Sequence, residues 1–178
     1  MNVPERDGFR LVRCTEAAHA GQILGIFNEA IANTTAIYEY DPRTPRTIAD
    51  WFAEKRAAGH PVIGLLDAAG ELAGFGTYGV FRARPAFGHT VEHSVYVHRQ
   101  RRGRGAGARL LKELIAIARN ARVHVMVGCI DAGNGASIAM HERAGFRCAG
   151  RIEQCGFKFG RWLDLVFYQL ILDGEHRP

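Results

Sequence analysis

The chain is 178 residues long and 47% apolar, enough for one well-buried core, so a single domain over 1–178, with its core at about 9–172, is expected. No apolar stretch approaches the roughly 20 residues that cross a bilayer, residues 1–10 lack the apolar core of a secretory signal, and Cys14, Cys129, Cys148 and Cys155 form no CxxC pair. These features argue against a membrane protein, an exported protein, a zinc site and a disulfide scaffold; a cytoplasmic location is expected, and the net charge of +5, much of it in Arg99, Arg101, Arg102, Arg104 and Arg109, points to an anionic ligand.

Phe9 to Arg13 reads as a first strand, after which Thr15 can cap a helix carrying Ile23, Leu24, Phe27, Ala30 and Ile31 on one face. Asn33 to Pro45 is polar and aromatic, a poor helix and a candidate pocket loop, and Thr47 with Asp50 is expected to form a capping box ahead of Trp51 and Phe52. Pro61 to Asp67 and Leu72 to Phe81 are β-branched and aromatic runs joined by a short turn, an antiparallel hairpin whose second strand is weakened by Gly74, Gly76 and Gly79.

Thr90 to His98 is the next strand, and Gly103 to Gly107 leads into a helix with Leu110, Leu111, Leu114, Ile115 and Ile117 on one stripe. Val123 to Ile130 reads as a buried strand, Asp131 to Gly135 as a loop, and Ala136 to Arg143 as a short helix stopped by Gly145. Phe146 to Ile152 and Leu163 to Leu172 complete the sheet through a connection at Gly156 to Gly160, and no repeat or low-complexity tract occurs.

Chemistry concentrates in Gln100-Arg-Arg-Gly-Arg-Gly-Ala-Gly107. Glycines let the main chain approach a ligand closely, while the unpaired N–H groups and positive dipole end of the following helix face it, which makes an anion cradle. Arg102 and Arg104 add charge-assisted donors for a pyrophosphate or ribose phosphate. A dinucleotide fold is disfavoured because the loop does not open a parallel sheet, and a P-loop because no Gly-Lys-Ser/Thr occurs. The rival reading of the arginine cluster is a solvated or nucleic-acid-binding surface.

The spacing Gln100, Gly103, Gly105 at a strand-to-helix junction, followed by Asn134, Ser137, His141 and Gly145-Phe146, resembles the GNAT superfamily of N-acetyltransferases. Within it the chain is similar to the phosphinothricin and methionine sulfoximine acetyltransferases through Thr90 to Val97, Met140 to Glu142 and Phe159 to Asp164. The resemblance implies an α+β, three-layer fold with a mixed, mostly antiparallel sheet of about seven strands and about four helices. It also implies acetyl-CoA as co-substrate, no metal, a small amino-acid-like amine as acceptor, and pairing as a homodimer.

Direct attack on a thioester needs a neutral amine, whereas a free α-amino group, with a pKa near ~8, is mostly protonated at pH 7. Glu92, mid-strand among apolar and aromatic residues, is the candidate base, and the resembled subfamily has a glutamate there; the bland alternative is a carboxylate paired with His93 or Arg82. If the neighbouring strand splays away, main-chain groups at Val95 and Val97 are left for the pantetheine arm, with the amide of Tyr96 or Val97 as oxyanion donor. His141 stands where many relatives have a tyrosine, and is either an acid for the departing thiolate or a packing residue.

The expected cofactor contacts are therefore Val95, Tyr96, Val97, Arg102, Gly103, Arg104, Gly105, Ala106, Gly107, Asn134 and Ser137, with Asn134 equally readable as a plain turn former. Thr35, Tyr38, Tyr78, Arg82, Arg84, Thr90 and Val91 are the expected acceptor contacts. A protein or peptide N-terminus remains an alternative acceptor, a polyamine is disfavoured because acidic residues are few in these segments, and a non-catalytic CoA- or nucleic-acid-binding module is the rival of another class.

Overall fold

A computed structural model describes residues 8–172. The chain runs β1 (Arg10–Arg13), α1 (Glu16–Asn33), α2 (Pro45–Ala57), β2 (Val62–Leu66), β3 (Leu72–Val80), β4 (Thr90–Val97), α3 (Ala106–Asn120), β5 (Val125–Asp131), α4 (Gly135–Arg143), β6 (Arg147–Lys158) and β7 (Arg161–Ile171). Seven strands form one sheet in the order β1-β2-β3-β4-β5-β7-β6, antiparallel throughout except for β4 and β5. The expected mixed, mostly antiparallel sheet between two helical layers is what these residues form.

Each layer follows from a sequence stripe. On one face α1 buries Ile23, Ile26, Phe27, Ala30 and Ile31, and α2 buries Ile48 and Phe52, against Leu66, Leu72 and Phe75. On the other, Leu110, Leu111 and Leu114 of α3 pack with Val91, Met126 and Phe146. Gly76 helps α3 settle, since a Cβ there would lie 2.9 Å from Leu114 Cδ1. The glycines expected to weaken β3 instead give it room: it runs nine residues, nearly all buried.

Two boundaries differ from the sequence reading by more than two residues. Helix α2 begins earlier, because Thr44 is the N-cap, Pro45 occupies the first turn and Thr44 with Thr47 forms the reciprocal box, so Asp50 takes no part. Strand β6 does not end at Ile152 but continues to Lys158, absorbing the glycine-bearing segment through irregularities at 148–150 and 152–156. Its glycines and polar residues are tolerated because β6 is an edge strand, exposed along almost its whole length.

Candidate active site

The site starts from a ladder that stops early. Parallel pairing of β4 with β5 covers only Thr90↔Val125 to His93↔Gly128, although both strands continue. Beyond it Ser94, Val95 and Tyr96 on one side and Cys129, Ile130 and Asp131 on the other line a gap. His98 donates its amide to Ala73 O, so strand alternation turns the Tyr96 main chain into β3 and leaves Val95 and Val97 facing the gap. Of the two amides expected to serve an oxyanion, Val97 is therefore the available one.

From this gap a cleft of about 790 Å³ runs to the start of α3. Its lining holds every expected cofactor contact except Arg104: Val95, Tyr96, Val97, Arg102, Gly103, Gly105, Ala106, Gly107, Asn134 and Ser137, with Thr35 from the α1–α2 loop. Arg104 is exposed outside the lining. Gly103 and Gly105 take the left-handed φ values of +76° and +82° that glycine tolerates. Gly105 N-caps α3 without a side chain and the first helical bond reaches Arg109 N, so the amides at 106–108 stay turned toward the cleft.

The arginines are differently committed from what the sequence suggested. Arg101 pairs with Asp67 at 2.5 Å and holds that carboxyl below the usual range. Arg102 pairs with Glu29 at 2.5 Å and reaches Val97 O at 3.2 Å. Asn134 Oδ1 accepts from Ser137 N at 3.1 Å, capping α4, and its amide nitrogen has no hydrogen-bond partner among the described residues.

On the α1/α2 face of β4 stand Glu92, Ser94 and Tyr96, with Tyr96 packed on Phe27 and Phe75 at 5.1 and 5.5 Å between ring centroids. Glu92 sits between Gly79 of β3 and Val127 of β5, beside the Cys129 thiol. Burial, together with the Glu92 charge, pushes that thiol up to about 12, so it is no nucleophile near neutral pH. Neither His93 nor Arg82 forms an ion pair with Glu92 among the described residues.

The acceptor contacts separate. Tyr38 donates its hydroxyl to Asp131 Oδ2 at 3.0 Å, over the gap, and burial with this bond raises its pKa. Tyr78 and Val91 are corrections: register pairs Tyr78 with His93, so both side chains point into the α3 core, away from Glu92. Arg82, Arg84, Thr90 and Val91 line a second hollow of about 360 Å³ with His60 and Pro85. Of these only Arg82 makes its charge felt at Cys129.

Behind the gap lies a buried histidine pair. His141 Nδ1 is 2.7 Å from Ser137 O, which can only accept, so that nitrogen carries the proton. In the neutral ring His141 Nε2 is then an acceptor, filled by His93 Nε2 at 3.2 Å, while His93 Nδ1 has no partner. Burial, with His141 adding to it, lowers the His93 pKa to about 3, and burial lowers that of His141. Gly128 makes room, since a Cβ there would stand 3.0 Å from both Nε2 atoms. With no proton free at Nε2, this geometry favours the packing reading of His141 over the acid one.

Three residues escaped the sequence reading. Asp131 receives Tyr38 and the Gly133 amide. Lys158, 4% exposed, donates to the carbonyls of Ile31, Thr34 and Ile37 at 2.7–3.0 Å, tying the β6–β7 turn to the end of α1. Lys55 lies beside Gly79, and its signal was a lysine seven residues after Ile48 on the apolar stripe of α2. Among the described residues no cluster of His, Cys, Asp and Glu is placed to hold a metal, and no helix is long and apolar enough to cross a membrane.

The family model described as "Acetyltransferase (GNAT) family" matches residues 24–146. The chain is 46% identical, over 91% of its length and 94% of the relative's, to the L-methionine sulfoximine/L-methionine sulfone acetyltransferase of Pseudomonas paraeruginosa. The structure of a phosphinothricin acetyltransferase from Sinorhizobium meliloti in complex with acetyl-CoA superposes with a TM-score of 0.92 at 32% identity, covering 96% of this chain and 93% of that one. A ribosomal-protein-alanine N-acetyltransferase from Brucella melitensis superposes with a TM-score of 0.88 at 42% identity, covering 91% and 99%.

Proposed function

We propose a reaction on the premise that the chain belongs to the acetyltransferase (GNAT) family: acetylation of the amino group of a small amino-acid-like acceptor such as methionine sulfoximine, methionine sulfone or phosphinothricin. The protein is an acyltransferase, and acetyl-CoA is its co-substrate, supplying the acetyl group as a thioester. The observation that carries the reading is the unpaired edge of β4, which leads from Glu92 to the uncapped amides of α3.

In this reading Val95 presents its main-chain groups and Val97 its amide to the pantetheine arm, and Gly103 to Gly107 with the first amides of α3 hold the pyrophosphate. Asn134 offers its amide nitrogen, and Ser137 and Thr35 border the same cleft. Glu92 accepts the acceptor's ammonium proton, leaving a neutral amine for attack. His93 and His141 form the neutral floor of the gap rather than a proton source. Tyr38, bonded to Asp131 over the gap, and Arg82, whose charge reaches Cys129, are the side chains offered to the acceptor.

The test is thiol release from acetyl-CoA with methionine sulfoximine, methionine sulfone or phosphinothricin, which we expect. Absence of release with a broad panel of amines would remove the reading. Acetylation of a protein N-terminus is a second reading, suggested by the Brucella likeness. Against it, the loop after α1 is fastened over the acceptor floor by Lys158, by Tyr38 on Asp131 and by Tyr40 on Phe157 O at 2.5 Å, which bounds a pocket rather than an open groove. Modification of peptides but not of free amino acids would select it.

The ion pairs of Arg101 and Arg102 speak against the nucleic-acid module, because these charges are already matched within the chain. A cytoplasmic single-domain enzyme fits the reading, as does a homodimer formed through the exposed β6–β7 hairpin with Ile152, Phe157, Phe159 and Trp162, each 47–60% exposed. Sedimentation of the purified protein checks the dimer.

A further inference from the structure

A half-buried ammonium stands next to the candidate base without being paired to it. Lys55 Nζ donates to Tyr78 O at 2.8 Å and lies 3.0 Å from where a Cβ on Gly79 would be. Gly79 is the register partner of Glu92, so the two positions share a face on adjacent strands, with Cβ sites about 5 Å apart. Lys55 thus fills the place of the missing side chain opposite Glu92. An ammonium has three protons, and beyond Tyr78 O no second hydrogen-bond acceptor or ion-pair partner is found for Lys55 among the described residues.

Apart from the Trp51 ring, 5.8 Å away, only water meets the remaining donors, and a carboxylate that displaces that water in this half-buried place gains a charge-assisted hydrogen bond. An α-amino acid carries its amine and its carboxylate on one carbon, so an acceptor whose amine lies at Glu92 presents its carboxylate within a few ångströms on the same face. We propose that Lys55 is the subsite for the acceptor's α-carboxylate, which together with Glu92 selects free amino acids over peptide N-termini and simple amines. Burial lowers the Lys55 pKa to about 8, with Glu54 and Glu92 opposing the fall, so the ammonium persists at neutral pH. A peptide N-terminus has an amide where the free amino acid has this carboxylate and leaves Lys55 unanswered. Arg82 is exposed and lies over its neighbour Phe81 at 4.4 Å, which leaves Lys55 as the more enclosed cation on this face. The inference rests on the proposed acetylation of amino-acid-like acceptors.

The test compares wild type, Lys55→Met and Lys55→Arg on two acceptors, L-methionine sulfone and 3-(methylsulfonyl)propylamine, the same amine without the carboxylate. The expected result is a KM for methionine sulfone raised about tenfold or more in Lys55→Met, as for loss of a charge-assisted hydrogen bond. The carboxylate-free amine should change by no more than about twofold, and Lys55→Arg should keep most of the preference. Lys55→Gln, which keeps a donor for Tyr78 O, serves the same comparison if the methionine variant does not fold. Equal losses on both acceptors, or none, would overturn the assignment while leaving acetyl transfer intact. A wild type that acetylates neither acceptor would overturn it together with the reading beneath it.

Discussion

The two halves of the proposed site are made of different material. On the cofactor side the ligand would meet main chain: the free edge of Val95 and Val97 and the amides that open α3, with Arg101 and Arg102 matched to Asp67 and Glu29. On the acceptor side it would meet side chains, namely Glu92, Lys55, Tyr38 and Arg82, carried by β4, α2 and two loops. A half built from backbone depends on conformation and tolerates replacement of neighbouring charges, whereas a half built from side chains depends on identity, atom by atom.

The largest expected effect breaks the acceptor half alone. Glu92→Gln should lower turnover by ~10²–10⁴, the usual scale of a lost general base, with acetyl-CoA affinity by calorimetry changed less than about twofold. Part of the rate should return at higher pH, where the acceptor amine loses its proton unaided. An unchanged rate at pH 7 would take Glu92 out of the mechanism.

Conformation is the corresponding weakness on the other side. Gly105→Val forces a β-branched residue into a left-handed turn at φ +82°, a strain of ~1–3 kcal/mol that should weaken acetyl-CoA binding about tenfold or more while leaving the acceptor KM little altered. Equal loss of both would mean that the halves are not separable.

The histidine floor between them should be visible in stability. His93 has a folded pKa of about 3 against an ordinary 6.5, so below pH 6.5 the unfolded chain binds the proton and the folded chain does not. Stability is then full above pH 6.5 and lost as pH falls toward 3, by about 2 kcal/mol at pH 5 from this group. Urea titrations at pH 7 and pH 5 should reveal the loss, and His93→Gln should shrink it; an equal loss in the variant would contradict the neutral pair.

The smallest effect sharpens the contrast. Arg102→Ala should weaken acetyl-CoA binding only about two- to fivefold, since its guanidinium is shared with Glu29, an exposed pair of modest worth. A hundredfold loss would mean that the side chain abandons Glu29 for the ligand.

The same division explains what could be read from the sequence. The cofactor half was legible because its glycine spacing and the stripe Leu110, Leu111, Leu114 are local, and local spacing fixes a strand, a tight loop and a helix start. Glu92 was legible as a charge in an apolar strand. Lys55 was not, because its meaning comes from Gly79 and Glu92, which reach it only through the packing of α2 on the sheet. Nor was the inward direction of Tyr78, set by the register of β3 on β4, or the pairing of Arg102 with Glu29, 73 positions away. The continuation of β6 was hidden by glycines that only an edge strand accommodates.

The buried Lys158 has a mechanical consequence. Among the described residues the sheet's two portions, β1 to β4 and β5 to β7, meet in a ladder of four register pairs between β4 and β5, a short hinge at the closed end of a V. Lys158 fastens the tip of the last hairpin to the last turn of α1, so the V is latched as well as hinged. Its width is thereby fixed from two points, and a thioester entering it finds a slot of set gauge instead of two plates free to swing.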